Sequence, residues 1–303
     1  MFRYINPYTD FGFKKLFGEE ANKDLLIDFL NAVLPPENKI ADLTFRPLEV
    51  LPDNSFDRKA IFDIACVGEN GQLFTVEMQK AKQLWFKDRA LFYSAFPIQR
   101  QAQRGDWNFK LNPVFLVAVL DFEYDEREEL RKLYRLVSLK DQDGDPFSDK
   151  LNMVFLQMPL FALTESELKT QQDKWLFFLK NLESFDEIPG ILREPLFEKA
   201  FGTAEYVKYS PAIQEAYQND LKAYRDNRNV VDTARIEGEA KGHAEGVIEG
   251  EAKGRAEGRA EGRAEGRAEG TIEIARNMKR KGYDFKTIAE LTGLSHTEIE
   301  RLE

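Results

Sequence analysis

Histidine and cysteine are almost missing from this chain. Its 303 residues hold one cysteine, Cys66, and two histidines, His243 and His296. A single cysteine forms no internal disulfide and builds no cysteine-rich zinc site. Because no histidine precedes residue 243, Ser-His-Asp, Cys-His and histidine-based zinc mechanisms are excluded from most of the chain. A reaction centre there must use carboxylates, lysine, tyrosine or a hard cation held by oxygen. No apolar run reaches the ~18 residues of a membrane span, and no signal-peptide pattern opens the sequence. The expected compartment is the cytoplasm, with no membrane partner. Positive charge is also in the minority. A net charge of -10 weighs against a nucleic-acid partner unless basic residues are concentrated locally.

Apolar material is plentiful. Hydrophobic residues make up 43% of the chain and include 24 Phe, enough for a packed core. Asn6-Pro7 and then TDFGFKKLFG open the chain. Thr9 or Asp10 caps a helix that Gly18 interrupts. Residues 22–34 place Leu25, Leu26, Phe29, Leu30 and Val33 at helical spacing, and Pro35-Pro36 ends them. An edge strand is expected within 40–52, a helix from Trp85 to Gln103, and strands over 113–122, 133–139 and 151–161. Helical patterns dominate from Glu165 onward. Strands first and helices later read as a mixed α/β core with a helical extension.

The tail differs in composition. Glycine recurs every fourth residue from Gly238 to Gly270, most often separated by Arg-Ala-Glu. Each glycine costs a helix about 0.8–1 kcal/mol relative to alanine. Arg255, Arg259, Arg263 and Arg267 stand at i,i+4, as do Glu257, Glu261, Glu265 and Glu269, and like charges at that spacing repel. Two readings follow: a flexible linker, or a helix held by another copy of the chain. The second implies self-association. A four-residue period then favours a right-handed supercoil. After the repeat, Ile288, Ala289, Leu291, Leu294, Ile299 and Leu302 form an apolar set. Gly293 marks a turn, and Ser295 with Glu298 forms a capping box, the outline of a small helix-turn-helix.

The stretch most suited to chemistry is IFDIACVGENGQLFTVEMQK, residues 61–80. A three-residue hairpin loop, Glu69-Asn70-Gly71, pairs Gly68 with Gln72 and Asp63 with Glu77. Phe62, Ile64 and Cys66 then align with Met78, Val76 and Phe74 as one apolar face, and Asp63, Glu77 and Gln79 share the other. A slip of one residue would destroy that match. Two opposed carboxylates repel unless something neutralises them. Either a divalent cation does so, most naturally Mg²⁺, or the face is simply solvated. From Gln79 to Lys110, seven basic residues oppose Asp88 and Asp106, a local net charge of +5, interleaved with Trp85, Phe86, Phe92, Tyr93 and Trp107. Such a segment suits a phosphate backbone or forms a solvated helix face.

Here the chain resembles a known family. Asp63, then Glu77-x-Gln79 on the next strand, then a helix, is similar to the PD-(D/E)xK nuclease core. TDFGFKKLFG, FDIACVGENGQLFTVEMQ, RALFYSAFPIQRQAQRGDW running into NPVFLVAVLDF, KWLFFLKN, FEKAF and the glycine tail ending in IAELTGLS resemble the Rpn family of recombination-promoting nucleases, also called PD-(D/E)xK family transposases. The resemblance implies a restriction-endonuclease-like mixed sheet flanked by helices, with a helical extension and a glycine-repeat tail, helical or flexible. It implies residues 1–162 as nuclease core, 163–235 as helical extension, 236–273 as repeat and 274–303 as a helix-turn-helix-like end. The implied activity is Mg²⁺-dependent endonucleolytic cleavage of DNA, with Mn²⁺ as a substitute, linked to recombination or transposition. Asp63 and Glu77 would be the metal ligands. Gln79 stands where the wider superfamily carries lysine, so it can orient water or phosphate but supplies no charge. Lys59, on the face of Asp63, is the better candidate for that charge; Lys80 and Lys82 can supply it only if the strand ends before them. Asp10 is a candidate for a further acidic group, and Arg89 and Gln99 for contacts to DNA or to the metal shell. The alternative is a catalytically inactive DNA-binding or assembly protein on a nuclease fold, favoured by Gln79 and by the acidic net charge.

Overall fold

The computed structural model describes residues 2–47, 49–50, 60–61, 63–103, 105–125 and 127–302. Helix α1 (Asp10–Phe17) begins at Thr9, whose Oγ1 accepts the Gly12 N–H at 2.9 Å. Thr9 is therefore the cap, and Asp10 is the first helical residue. Gly12 is required by close approach, because a Cβ there would lie 2.1 Å from the Asn6 carbonyl oxygen. Asn6 is itself tied down: its N–H donates to the Tyr217 hydroxyl and its amide to Glu183, both at 2.8 Å. The opening turn is thus fixed to distant parts of the chain, and α1 with it. Helix α2 (Lys23–Val33) buries the expected stripe Leu25, Leu26, Phe29, Leu30 and Val33.

The strands follow: β1 (Leu43–Phe45), β2 (Glu49–Val50), β3 (Ala60–Ile61), β4 (Ile64–Gly68) and β5 (Leu73–Gln79). After helix α3 (Phe86–Gln99) come β6 (Val114–Leu120), β7 (Tyr134–Lys140) and β8 (Pro146–Gln157). Six of them form one sheet in the order β1-β4-β5-β6-β8-β7, while β2 and β3 pair with each other. β5, β6 and β8 are parallel; the other pairings are antiparallel. Strand β8 starts five residues before the expected Leu151, because the Asp141–Asp145 turn lets β7 pair onward, across bulges, to Pro146. Helix α3 ends at Gln99 rather than Gln103, shortly after its internal Pro97, which supplies no N–H to the ladder.

Alternation along the strands separates two cores. Ile64, Cys66, Phe74, Val76, Met78, Phe115, Val117 and Val119 join α1, α2, α4 (Gln171–Asn181) and α5 (Pro195–Ala204) in one cluster. Its centre is the fully buried Trp175, whose indole N–H donates to Asp28 at 2.6 Å. On the opposite face Leu116, Ala118, Leu120 and Phe155 pack against Phe86 and Ala90 of α3. The result is the expected mixed sheet flanked by helices. This compact unit runs from Met1 to Val231 and includes the start of α6 (Pro211–Arg280).

The remainder of α6 belongs to a second unit, Asp232–Glu303, with α7 (Phe285–Thr292) and α8 (His296–Glu300). The glycine repeat is helical rather than a loose linker: α6 is unbroken through all nine repeat glycines. The second copy that the helical reading calls for is a separate proposal. Opposite charges at i,i+4 contribute before and at the start of the pure repeat, as in Arg235–Glu239 and Glu251–Arg255, both at 3.0 Å. Within Arg-Ala-Glu-Gly itself Arg and Glu stand two apart and cannot pair this way. A Cβ added at Gly258, Gly262 or Gly266 would meet nothing within 4 Å. At the end of the unit, Ala275, Ile288 and Ile299 form a small core. Lys279 Nζ closes α8 by donating to the carbonyls of Ile299, Glu300 and Leu302. Gly293 is left-handed (φ 74°), and the Ser295–Glu298 capping box is present. Leu291 is the exception to the expected apolar set; it is 70% exposed although it stands three residues after the buried Ile288.

Candidate active site

The β4–β5 hairpin has the register that the hydrophobic alternation requires. Gly71 takes φ 82°, Gly71 N–H donates to the Gly68 carbonyl, and Gly68 N–H donates to the Gln72 carbonyl, both at 2.9 Å. The ladder runs from Val67–Leu73 to Ile64–Val76, so the next pair outward is Asp63 and Glu77. Asp63 lies one residue before β4 rather than within a strand. Its Oδ2 accepts the Met78 N–H at 2.8 Å, so a side chain continues the hydrogen bonding where the ladder stops. Phe62, the last member of the expected apolar row, lies outside the described residues.

Glu77 is 7% exposed, in the middle of the sheet beside Ala118 of β6. The Gln79 amide donates to Glu77 Oε2 at 2.8 Å. Asp63, Glu77 and Gln79 are thus brought together, at the carboxyl end of a parallel strand, where open α/β sheets bind ligands.

Burial raises the Glu77 carboxyl to about 7; the Asp63 charge adds to this, while the Gln79 amide and the Arg89 guanidinium oppose it. Asp63 is raised too, by burial first and by the Asp10 charge. The Met78 N–H, Lys14 and Lys80 pull it the other way. The site therefore holds two carboxyl groups that both resist ionisation, with cations at its margin.

Lys80 pairs with Asp10 at 2.8 Å and approaches Asp220 of α6 at 3.8 Å. Asp220 also accepts the Phe11 N–H at 2.7 Å, joining α6 to the start of α1. Asp63 borders a cavity of about 370 Å³ lined by Phe11, Lys14, Lys15, Phe45 and Arg46. Asp10 is therefore near the site, within electrostatic reach of Asp63. Arg89 reaches Glu77 in the same sense; it also donates to Gln83 at 3.2 Å and stacks over Tyr93 at 4.8 Å. Gln99 is not gathered with them. It ends α3, ten residues from Arg89, or about 15 Å along the helix axis. Lys59 lies outside the described residues.

Lys14 is the cation that sequence reasoning missed, and Lys80 is one it placed below Lys59. Lys80 is out of phase with Gln79 as long as the strand continues, but β5 ends at Gln79 and frees it. The signal for Lys14 is its position four residues after Asp10, on the same face of α1.

Two family sequence models match the chain. The sequence model of the PD-(D/E)XK nuclease family transposases matches residues 7–234. That of the C-terminal helix-turn-helix domain of the Rpn/YhgA-like nuclease family matches residues 268–303. No curated protein and no solved structure matches the chain significantly.

The raised Glu77 carboxyl has a consequence for stability. In the unfolded chain it titrates near 4.5 and in the folded protein near 7, so the folded state holds the extra proton between those values. Its contribution is complete below about pH 4.5 and is lost as pH rises through 7, a loss on the order of 3 kcal/mol. Glu77→Gln, which stays neutral and keeps an oxygen for the Gln79 amide, is expected to be more stable than wild type at pH 8 by roughly that amount. At pH 4 the two should match. Urea unfolding at both pH values, in the presence of a chelator, measures this. An equal difference at the two pH values would contradict the placement of the charge.

Proposed function

The chain belongs to the PD-(D/E)XK nuclease family transposases, and from that membership we propose that it is a metal-dependent DNA endonuclease acting in recombination or transposition. The observation that carries the proposal is the pairing of buried Glu77 with Asp63 at the carboxyl end of β5. Family membership supports a nuclease; the specific metal, the DNA substrate and the cytoplasmic setting are parts of the proposal.

The donor set fits a hard divalent cation. Among the described residues no cluster of three or more His, Cys, Asp or Glu is poised around one point. Mg²⁺ needs fewer, since it is commonly held by one or two carboxylates, with waters and substrate phosphate completing its shell. Asp63 and Glu77 each commit one oxygen to a hydrogen bond with the protein and keep acceptor capacity on the other. Two carboxyls raised by burial, Glu77 further by the Asp63 charge and Asp63 by the Asp10 charge, also form a site that favours a neutralising cation. A divalent ion bound there, Mg²⁺ or Mn²⁺, would polarise the scissile phosphate and lower the pKa of the attacking water.

The chain's own residues divide the remaining work. Gln79 holds Glu77 in place through its amide and orients water or phosphate when that bond opens. It brings no charge, and Lys14 and Lys80, both near Asp63, supply it instead. Asp10 positions Lys80 through their ion pair. Arg89 and the basic stretch around α3 meet the phosphate backbone, which provides most of the sequence-independent affinity. Gln99 is a more distant contact on the same helix.

The C-terminal unit serves DNA contact and assembly. The nine glycines of α6 weaken it as a lone helix, and open space surrounds them, which favours pairing with α6 of a second copy. Truncation before Arg235 is expected to lower the mass found by light scattering. An unchanged mass would contradict self-association through the tail.

Cleavage of plasmid DNA tests the enzymatic proposal. Wild type is expected to nick or cut with Mg²⁺ or Mn²⁺ and not in a chelator. Asp63→Ala and Glu77→Ala should fall to background while keeping the wild-type circular dichroism spectrum, and Gln79→Ala should lose less. Wild-type cleavage by the Asp63 variant would overturn the site. Absence of cleavage by wild type itself, with DNA binding retained, would favour the inactive binding protein.

A further inference from the structure

After β5 the chain exposes apolar side chains that phosphodiester hydrolysis does not require. Leu84 is 86% and Trp85 70% exposed. Together they edge a cavity of about 520 Å³, with Tyr124 on its wall and Lys82, Lys87 and Arg127 among its lining residues. The Tyr124 ring is fixed, packed 5.5 Å from both Phe86 and Phe155. Lys87 Nζ lies 5.2 Å from the same ring. Asp125, also in the lining, has a buried carboxylate neutralised by Arg135 at 2.9 Å and Lys87 at 3.5 Å. The cavity therefore combines three aromatic side chains, Trp85, Phe86 and Tyr124, with three cations and two carboxylates, Asp88 and Asp125, of which Asp125 is neutralised by its ion pairs.

It is joined to the candidate active site through Gln83, which lines the cavity and accepts from Arg89. Arg89 is in turn one of the charges felt by Glu77. The stretch from Gln79 to Lys110 carries +5 in a chain of -10, so a polyanion is the complementary occupant.

We propose that this cavity receives an unpaired nucleotide of DNA beside the scissile phosphate, with the exposed Trp85 stacking on the base, the buried Tyr124 as the floor beneath it and Leu84 entering the gap the base leaves. The proposal rests on the DNA-cleaving reading above and names its substrate class: DNA with unstacked bases, as in bubbles, forks or hairpin ends. Every base has a π-face, so aromatic stacking holds it without regard to sequence. Apolar wedges fill opened base steps. Extrusion is cheapest where pairing is already lost, which turns the cavity into a selector for distorted DNA. Lys82, Lys87 and Arg127 stand where the flanking phosphates would pass.

The test uses the full chain in a chelator, so that binding is read without cleavage. Affinity is measured for an intact duplex and for the same duplex with a short central bubble. Wild type is expected to prefer the bubble by about tenfold or more. Trp85→Ala should weaken bubble binding by about 5- to 150-fold and duplex binding little, while Trp85→Phe keeps most of the preference. Equal wild-type affinity for both DNAs would overturn the proposal. So would a Trp85→Ala loss of the same size on both. Failure to bind either DNA would overturn the DNA reading itself, and the cavity's role with it.

Discussion

Two carboxyl groups face each other where the β4–β5 ladder ends, in surroundings that do not favour their charges. Glu77 is shut into the sheet beside Ala118, and Asp63 is turned inward onto the Met78 N–H. Much of the rest of the fold follows from keeping this pair in place. The left-handed Gly71 sets the register that opposes them, and the apolar row on the reverse face locks that register. The tethered Asn6–Gly12 turn brings α1, and with it Asp10 and Lys14, to the Asp63 side. A buried like-charge pair is costly for the apo protein. It is a cost that a bound cation removes, which links the stability of the hairpin to its proposed chemistry.

The hairpin was legible in the sequence because two independent constraints agree. Asn-Gly with a preceding Glu selects a short loop, and strict alternation on both strands admits one register. The α2 stripe and the Ser295 capping box were legible for the same kind of reason: each is a local pattern with a fixed period. What was not legible depends on chain ends and on partners. Lys80 joins the site only because β5 stops at Gln79, and strand ends carry no periodic signal. Asp220 lies 140 residues away from Lys80 and has no sequence relation to it. The unbroken α6 runs against its glycine content, because propensity is a weak prior that opposite charges in flanking turns and helical continuity override. Leu291 looked like core because its residue type fits. Its i+3 spacing from Ile288 fits as well, yet it is exposed on α7.

Gln79 is where this chain departs from the wider nuclease pattern, and the structure gives the departure a physical setting. Its amide is occupied in holding Glu77, a role a lysine would fill with a charge. Lys14 and Lys80 supply positive charge from other elements, one on α1 and one just past β5. Spreading that function over two elements ties the site to the α1–α6 contact through Asp10 and Asp220. Under the proposed function, the basic, aromatic segment that follows supplies the charge that meets DNA.

The central claim is that Asp63 and Glu77 form one cation site, and proton-linked calorimetry tests it most directly. Mn²⁺ is titrated into the full chain at pH 6 in buffers of different ionisation enthalpy. With Glu77 titrating near 7, binding is expected to release about one proton. That release should vanish in Glu77→Gln, and binding should weaken strongly in Asp63→Asn. Binding with no proton release, or unchanged in both variants, would place the cation elsewhere and contradict the account.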